Sequence, residues 1–264
     1  MSRRRSLRMR ERWLRATRIL VLPVAGLLPA HAEPTADPAT TVAPALSEAE
    51  SLLAKFFAVS EQVNDYRMVM DKQQRIDGEL PPVERMEVEH RRSPDCRYMH
   101  WIGDRNKGRE MIYCPDRYNG MIQIHNGGLM SLITVSLDPD GDRIAKNQLH
   151  RISESGLFVM TDMVRKDDEY IRQHPELDPP RLSHREVAGA ASTCIEMERG
   201  ADMFKSYHLG RQLICIDDQL DLPTELELWN TDGELMEHFT YSHYAVNVGL
   251  TDADFDTKNQ RYHF

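Results

Sequence analysis

One feature limits this chain more than any other: short runs that alternate between apolar and polar residues, broken at close intervals by turn residues. The run over 65–76 (DYRMVMDKQQRI) stops at Asp77-Gly78, a dipeptide that favours a tight hairpin turn. Further runs cover 83–91, 97–102, 109–114, 118–125, 129–135, 182–187, 192–198, 207–217, 224–229 and 234–246. The breaks between them include GDRNKG, Asn126-Gly127-Gly128, Asp138-Pro139-Asp140-Gly141 and Thr231-Asp232-Gly233. Strands joined by turns this short pair antiparallel with their neighbours. A sheet of ten or eleven such strands curls rather than staying flat.

Two segments have a helical period. Ser47 and Glu50 form a capping box, in which each side chain bonds to the other residue's backbone N–H. Leu52, Leu53, Phe56, Phe57, Val59 and Val63 then make an apolar stripe, so a helix is expected over 47–63. Leu157, Met160, Val164 and Ile171 repeat the pattern, with Arg165, Lys166, Asp167 and Asp168 on the opposite side. His174-Pro175 and Pro179-Pro180 end that second helix. A curled sheet has a concave face that needs cover, and two amphipathic helices supply it. The expected class is therefore mainly β (α+β): a curled antiparallel sheet of about ten to eleven strands, forming an incomplete barrel with helices over the concave face.

The N-terminal region reads differently. Eight arginines within residues 1–32 precede a short apolar run over 19–28, and Ala30-His31-Ala32 gives a small-x-small signal. This is the pattern of a secretory signal peptide cleaved after Ala32, and the run is too short to span a membrane. Residues 33–46, with Pro34, Pro38 and Pro44, form a flexible linker, and 47–264 a single folded domain. The expected location is the periplasm. Cleavage leaves 33 − 8 = 25 basic and 42 − 1 = 41 acidic residues, a net charge of −16. So acidic a chain disfavours nucleic acid and anionic membrane surfaces. No later segment is long and apolar enough to form a membrane span, and the chain is expected to be a monomer.

Cysteine usage fits export. Cys96, Cys114, Cys194 and Cys215 allow three pairings. If Ile102 opposes Glu110, Cys96 lies one diagonal step from Cys114. If Gly200 opposes Gly210, Cys194 lies one residue from facing Cys215. The hairpins therefore favour Cys96–Cys114 and Cys194–Cys215, given a small shift of register. No C-x-x-C or H-x-x-x-H spacing points to a metal.

Motifs of catalysis and cofactor binding are missing: G-x-S-x-G, a P-loop, G-x-G-x-x-G and H-E-x-x-H do not occur. No catalytic residue and no cofactor is expected. Asp217-Asp218 reads as a solvated strand end. His100 and Trp101 are adjacent in a strand and so face opposite ways. Methionine is the informative excess, with 14 in the chain. Met68, Met70, Met99, Met111, Met121, Met130, Met160 and Met163 fall in the expected strands and the second helix. Thioether side chains suit surfaces that accept variable apolar partners.

The C-terminal stretch CIDDQLDLPTELELWNTDGELMEHFTYSHYAVNVGLTDADFD carries a recognisable order: a strand ending in Asp, x-x-Leu-Pro, an outgoing strand, Asp-Gly, a return strand ending Asn-x-Gly-Leu, and Asp-x-x-Phe. This resembles the superfamily of the lipoprotein carrier LolA and the receptor LolB. WIGDRNKGREMIYC and YRMVMDKQQRIDGEL are similar to an exported bacterial branch of it that is named only as a domain of unknown function. The resemblance implies an incomplete barrel around helices with an apolar cavity that holds lipid or acyl chains, or that senses other proteins.

Periodicity and resemblance lead to one expectation: a periplasmic carrier or sensor that holds a lipid, an acyl chain or a lipoprotein anchor, without chemistry. The alternatives are an envelope protein–protein interaction module with a filled core, and a hydrolase. The expected lining is Met68, Met70, Trp101, Leu157, Met160, Val164 and Trp229. At the C-terminus Thr251 is expected to cap one helical turn with Asp254, which aims Phe255 at an apolar end of the barrel as a plug.

Overall fold

The computed structural model describes residues 47–128, 133–146, 148–198 and 209–264, so the segments expected as signal peptide and linker lie outside the described residues, as does Met130. The strands are β1 (Asp65–Gln74), β2 (Glu84–Arg91), β3 (Cys96–Trp101), β4 (Glu110–Tyr113), β5 (Ile122–His125), β6 (Thr134–Leu137), β7 (Arg181–Val187), β8 (Ala190–Glu198), β9 (Leu209–Asp217), β10 (Pro223–Asn230) and β11 (Leu235–Val246). The helices are α1 (Glu48–Gln62), the short α2 (Asp142–Ala145) and α3 (Leu157–Gln173). Among the described residues eleven strands join one open antiparallel sheet in the order β6-β5-β4-β3-β2-β1-β11-β10-β9-β8-β7. The sheet is thus two meanders joined where β1 meets β11, and α3 lies in the connection between its two edge strands.

Local chemistry sets these elements. Asp77 (φ 50°) and Gly78 (φ 82°) both adopt left-handed backbone, the requirement of the two-residue turn that joins β1 to β2. At the start of α1 the Ser47 hydroxyl accepts from the Glu50 N–H, and the Glu50 carboxylate accepts from the Ser47 N–H. At its end Arg92 donates to the carbonyls of Ser60 and Val63. The Asn247 side chain accepts from the Asn64 N–H and donates to the Gln62 carbonyl.

Both expected disulfides are present, Cys96–Cys114 and Cys194–Cys215. The registers differ from those read in the sequence. Trp101, not Ile102, closes the β3–β4 hairpin, donating its N–H to the Arg109 carbonyl. Tyr98 therefore faces Ile112, and one further step brings Cys96 opposite Cys114. Cys194 faces Cys215 directly. No bulge or diagonal reach is needed.

Side chains divide between two faces. The inner face carries the large core, where Leu53, Phe56 and Phe57 of α1 and Leu157, Met160 and Val164 of α3 pack on the sheet. The outer face carries two small clusters, one around each disulfide. Phe255 belongs to the first. It is fully buried beside Cys96, Tyr98, Ile112, Cys114 and Leu250, on the outer face of β3 and β4 rather than at a barrel end. Thr251 and Asp254 cap its turn, Arg91 pairs with Asp252 at 2.6 Å, and Arg67 and Arg261 both reach Asp254. The exit from β11 is held by the Asp65 carboxylate, which accepts the N–H groups of Val248, Gly249 and Leu250.

One buried polar chain fixes α3 on the inner face. The Leu157 N–H, orphaned at the helix start, donates to the Tyr66 hydroxyl at 3.1 Å. That hydroxyl lies 2.9 Å from His90 Nδ1, and His90 Nε2 lies 3.0 Å from Asp95 Oδ1. Asp95 in turn pairs with Arg97. With its oxygen taken by Leu157, Tyr66 directs its proton to His90 Nδ1, and the imidazole proton sits on Nε2 toward Asp95. Gly156 (φ 98°) makes the approach possible, because a Cβ there would lie 2.8 Å from His90 Nδ1 and 2.9 Å from the Tyr66 hydroxyl. Burial lowers the pKa of His90 to about 4 and raises that of Tyr66 to about 12.

Two predictions follow from this packing. Phe255→Ala lowers thermal stability by about 3–5 kcal/mol, as expected for a buried aromatic; a melting temperature equal to that of the wild type would mean that the tail is not anchored through this ring. The second concerns acid. The folded pKa of His90 lies below its unfolded value of 6.5, so the unfolded chain binds the extra proton between those values. The contribution of neutral His90 is complete above pH 6.5 and is lost as pH falls to about 4, at most about 3 kcal/mol. Circular-dichroism melts at steps from pH 7 to 4 should show a steeper loss for the wild type than for His90→Gln; equal slopes would contradict this.

Candidate functional site

Alternation along β1 builds the candidate site. Tyr66, Met68, Met70, Lys72 and Gln74 point to the inner face, and Arg67, Val69, Asp71 and Gln73 to the outer. Opposite them, β2 places His90, Val88, Met86 and Glu84. Met99 and Trp101 on β3 continue the rows from Val88 and Met86, and Met111 on β4 lies across from Met99. On the other side, β11 sets Tyr241, Phe239 and Glu237 beside Met70, Lys72 and Gln74.

The face therefore has three zones. At one end is the Tyr66–His90–Asp95 chain that holds α3. In the middle lies an apolar field rich in methionine: Met68, Met70, Met86, Met99 and Met111 on adjacent strands, with Met160 on the helix side. At the other end the residues are polar. There Trp101 Nε1 donates to Glu84 at 3.1 Å, and Asn106 and Arg105 take the other oxygen of Glu84. Gln74 Nε2 donates to Glu237 Oε2 at 2.9 Å, and His150 holds Glu237 Oε1. Burial opposes the imidazolium of His150, but the bond to Glu237 and its charge outweigh that, and the pKa of His150 rises.

Six of the seven expected lining residues come together. Met68, Met70, Trp101, Leu157, Met160 and Val164 all lie in the inner cluster, each less than one-tenth exposed. Trp229 does not join them. Leu226 and Leu228 take the inward positions of β10, which turns Trp229 to the outer face. There it packs near Val187, Cys194, Leu213 and Cys215, under the Arg211 guanidinium at 3.9 Å from the ring centroid. Sequence reading missed Tyr66, His90, Lys72 and Glu237. The β1 alternation that indicated Met68 and Met70 also indicated Tyr66 and Lys72, but Glu237 required the long-range pairing of β11 with β1.

Titratable groups also gather on the outer face. Glu225, Glu227 and His238 bring possible metal-ligating atoms within 4.8 Å of one another. Arg185 already sits 2.6 Å from Glu225, and His238 Nε2 lies 2.8 Å from the other Glu225 oxygen. Burial raises the pKa of Glu227, with the neighbouring Glu225 charge adding to it. A divalent cation would have to displace Arg185, so the cluster acts as a neutralised ion network. Asp217 Oδ1 caps the turn N–H groups of Gln219 and Leu220, and Asp218 accepts from Thr193. Their positions are those of a strand end. His100 faces outward toward Glu87, away from Trp101.

The sequence matches a family model, Protein of unknown function (DUF1571), over residues 63–264. The chain belongs to that family. No curated protein matches it in sequence. Similar solved structures include MucB, at 18% identity and a TM-score of 0.46, covering 79% of this chain and 62% of that one. The chain thus spans about three-fifths of the length of MucB. The Mycobacterium tuberculosis lipoprotein LppX is also similar, at 11% identity and a TM-score of 0.46, covering 80% of this chain and 100% of that one. A LolA superfamily protein from Nitrosomonas europaea matches at 11% identity and a TM-score of 0.32, covering 80% of this chain and 98% of that one.

Proposed function

We propose that this DUF1571 protein is an exported binding protein that takes an acyl chain, of a lipid or of an acylated protein, between its inner face and α3. The observation that carries this reading is the methionine field under α3, whose N-terminus is tied to Tyr66. Thioether side chains have three rotatable bonds and repack at low cost around a guest. The N-terminus of α3 is tied to Tyr66, whereas its ties to α1 are surface ion pairs, Arg165–Glu61 and Arg172–Glu50. Exposed pairs of that kind contribute at most about 1 kcal/mol each. On this reading the later turns of α3 yield to the guest first, while the Tyr66 tie keeps the register of the helix start. A 14-carbon chain supplies roughly 11 kcal/mol of burial, at about 0.8 kcal/mol per methylene, before ordering costs. The protein's part is to hold and release, without bond making. Its expected place is the periplasm.

A second reading has its own support. Leu157 and Val164 are fully buried, and the inner-face residues pack on one another. That suits an envelope interaction module whose core is filled by its own side chains.

Native mass spectrometry with lipid extraction, on protein purified from the periplasm, separates the two. A co-purified acyl lipid supports the carrier, and an apo mass with no uptake of added fatty acid supports the module. Met160→Asp and Val164→Asp should lower the affinity for a fluorescent fatty acid at least tenfold, since each puts a charge in the apolar field. Met160→Ala, checked for a native circular-dichroism spectrum, keeps the test independent of folding, and unchanged binding in all three would sink the carrier reading.

A further inference from the structure

Lys72 is unusual among the inner-face residues. It lies on β1 between Met70 and Gln74, beside Phe239 on β11 and opposite Glu84 on β2. Its long side chain therefore runs from the edge of the methionine field toward the polar end. Two carboxylates are near enough to act on its charge, those of Glu84 and Glu237. Both are committed elsewhere. Glu84 accepts from Trp101 and Asn106 and pairs with Arg105, and Glu237 accepts from Gln74 and pairs with His150. Among the described residues the Lys72 ammonium makes no ion pair within 4.0 Å and no hydrogen bond. A half-buried ammonium that carboxylates attract without pairing directly is still partly desolvated. Burial accordingly lowers its pKa from the ordinary lysine value.

A second orphan lies two residues on. The Gln74 side chain is buried and spends its amide N–H on Glu237, and its Oε1 has no hydrogen-bond partner. One end of the site thus offers a half-buried ammonium with no direct ion pair among the described residues and a buried, unpaired acceptor, both inward on the same strand at the border of the apolar field. A buried polar atom left unpaired, as Gln74 Oε1 is, calls for an explanation, and a polar group of a ligand is one.

We infer that the polar end is a head-group subsite, and that the ligand is a single-chain amphiphile with an anionic head: the oxyanion pairs with Lys72, the chain lies over the methionine field, and a neighbouring hydroxyl, where the head carries one, donates to Gln74 Oε1. This rests on the acyl-chain reading above and adds the head group to it. The order of zones along β1, polar at Lys72 and Gln74 and apolar at Met70 and Met68, matches the order of polarity in such a molecule. Fatty acids and glycerophosphate lipids share this chemistry, and binding assays distinguish them.

The test is calorimetric titration of the full chain with tetradecanoate, tetradecyl lysophosphatidate and the neutral tetradecanol, in the wild type, Lys72→Met and Lys72→Arg. The anions should bind about tenfold more tightly than the alcohol, the gain expected of one charge-assisted pair. Lys72→Met should remove that advantage and leave tetradecanol unchanged, and Lys72→Arg should restore it. The tighter of the two anions identifies the source of the oxyanion. A stronger effect of Gln74→Leu on lysophosphatidate than on tetradecanoate would support the hydroxyl contact. Equal binding of all three ligands with no effect of Lys72→Met would overturn the head-group subsite and leave the carrier intact. Binding of none would overturn both.

Discussion

The phenolic oxygen of Tyr66 is the point on which the inner face depends. It accepts the first free N–H of α3 and donates its own O–H to a neutral, buried His90. Without that partner the helix would start on the sheet with an unpaired donor in a dry site, which costs about 1–3 kcal/mol. The tie also fixes the rotation of α3, and so determines that Leu157, Met160 and Val164 face the methionines. Gly156 serves the same contact, since only a residue without a side chain fits between the helix start and the Tyr66–His90 pair.

The two faces of the sheet divide the work. On the outer face the Cys96–Cys114 disulfide, Phe255 and a dense set of ion pairs bind the C-terminal tail across β1 to β4. On the inner face the cover is lighter: two helices over an apolar field with adaptable side chains. Stiffness outside and softness inside suit the proposed carrier, in which the strand register would hold while a guest enters the interior. The chemistry-bearing groups follow the same division. Glu225, Glu227, His238 and Arg185 neutralise one another on the outer face, whereas on the inner one Lys72 feels Glu84 and Glu237 but makes no direct ion pair among the described residues.

Much of the fold was legible in the sequence because alternation is a local signal. β1, β2, β7 and β8 lie close to their expected bounds, and the Ser47–Glu50 box starts α1 where it should. Register was less legible, because it turns on which residue closes a hairpin, and Trp101 rather than Ile102 does so at β3–β4. The pairing of β1 with β11 joins residues far apart in sequence, so the sheet could not be recognised as two meanders. No parity signal in the sequence decides which face of β10 Trp229 takes. Its neighbours Leu226 and Leu228 take the inward positions, and Trp229 packs against the Cys194–Cys215 cluster on the outer face. The Thr251–Asp254 cap was readable, but the surface that receives Phe255 was not, since it depends on two strands some 150 residues earlier.

The central claim is that α3 is a cover fixed at Tyr66 and movable at its far end. Hydrogen–deuterium exchange along α3, with and without a saturating long-chain fatty acid, tests this most directly. The account predicts that the Leu157 amide stays protected in both states. Exchange should change on binding in the later turns of α3 and in the central residues of β1. Uniform exchange along α3 that does not respond to the fatty acid would contradict it.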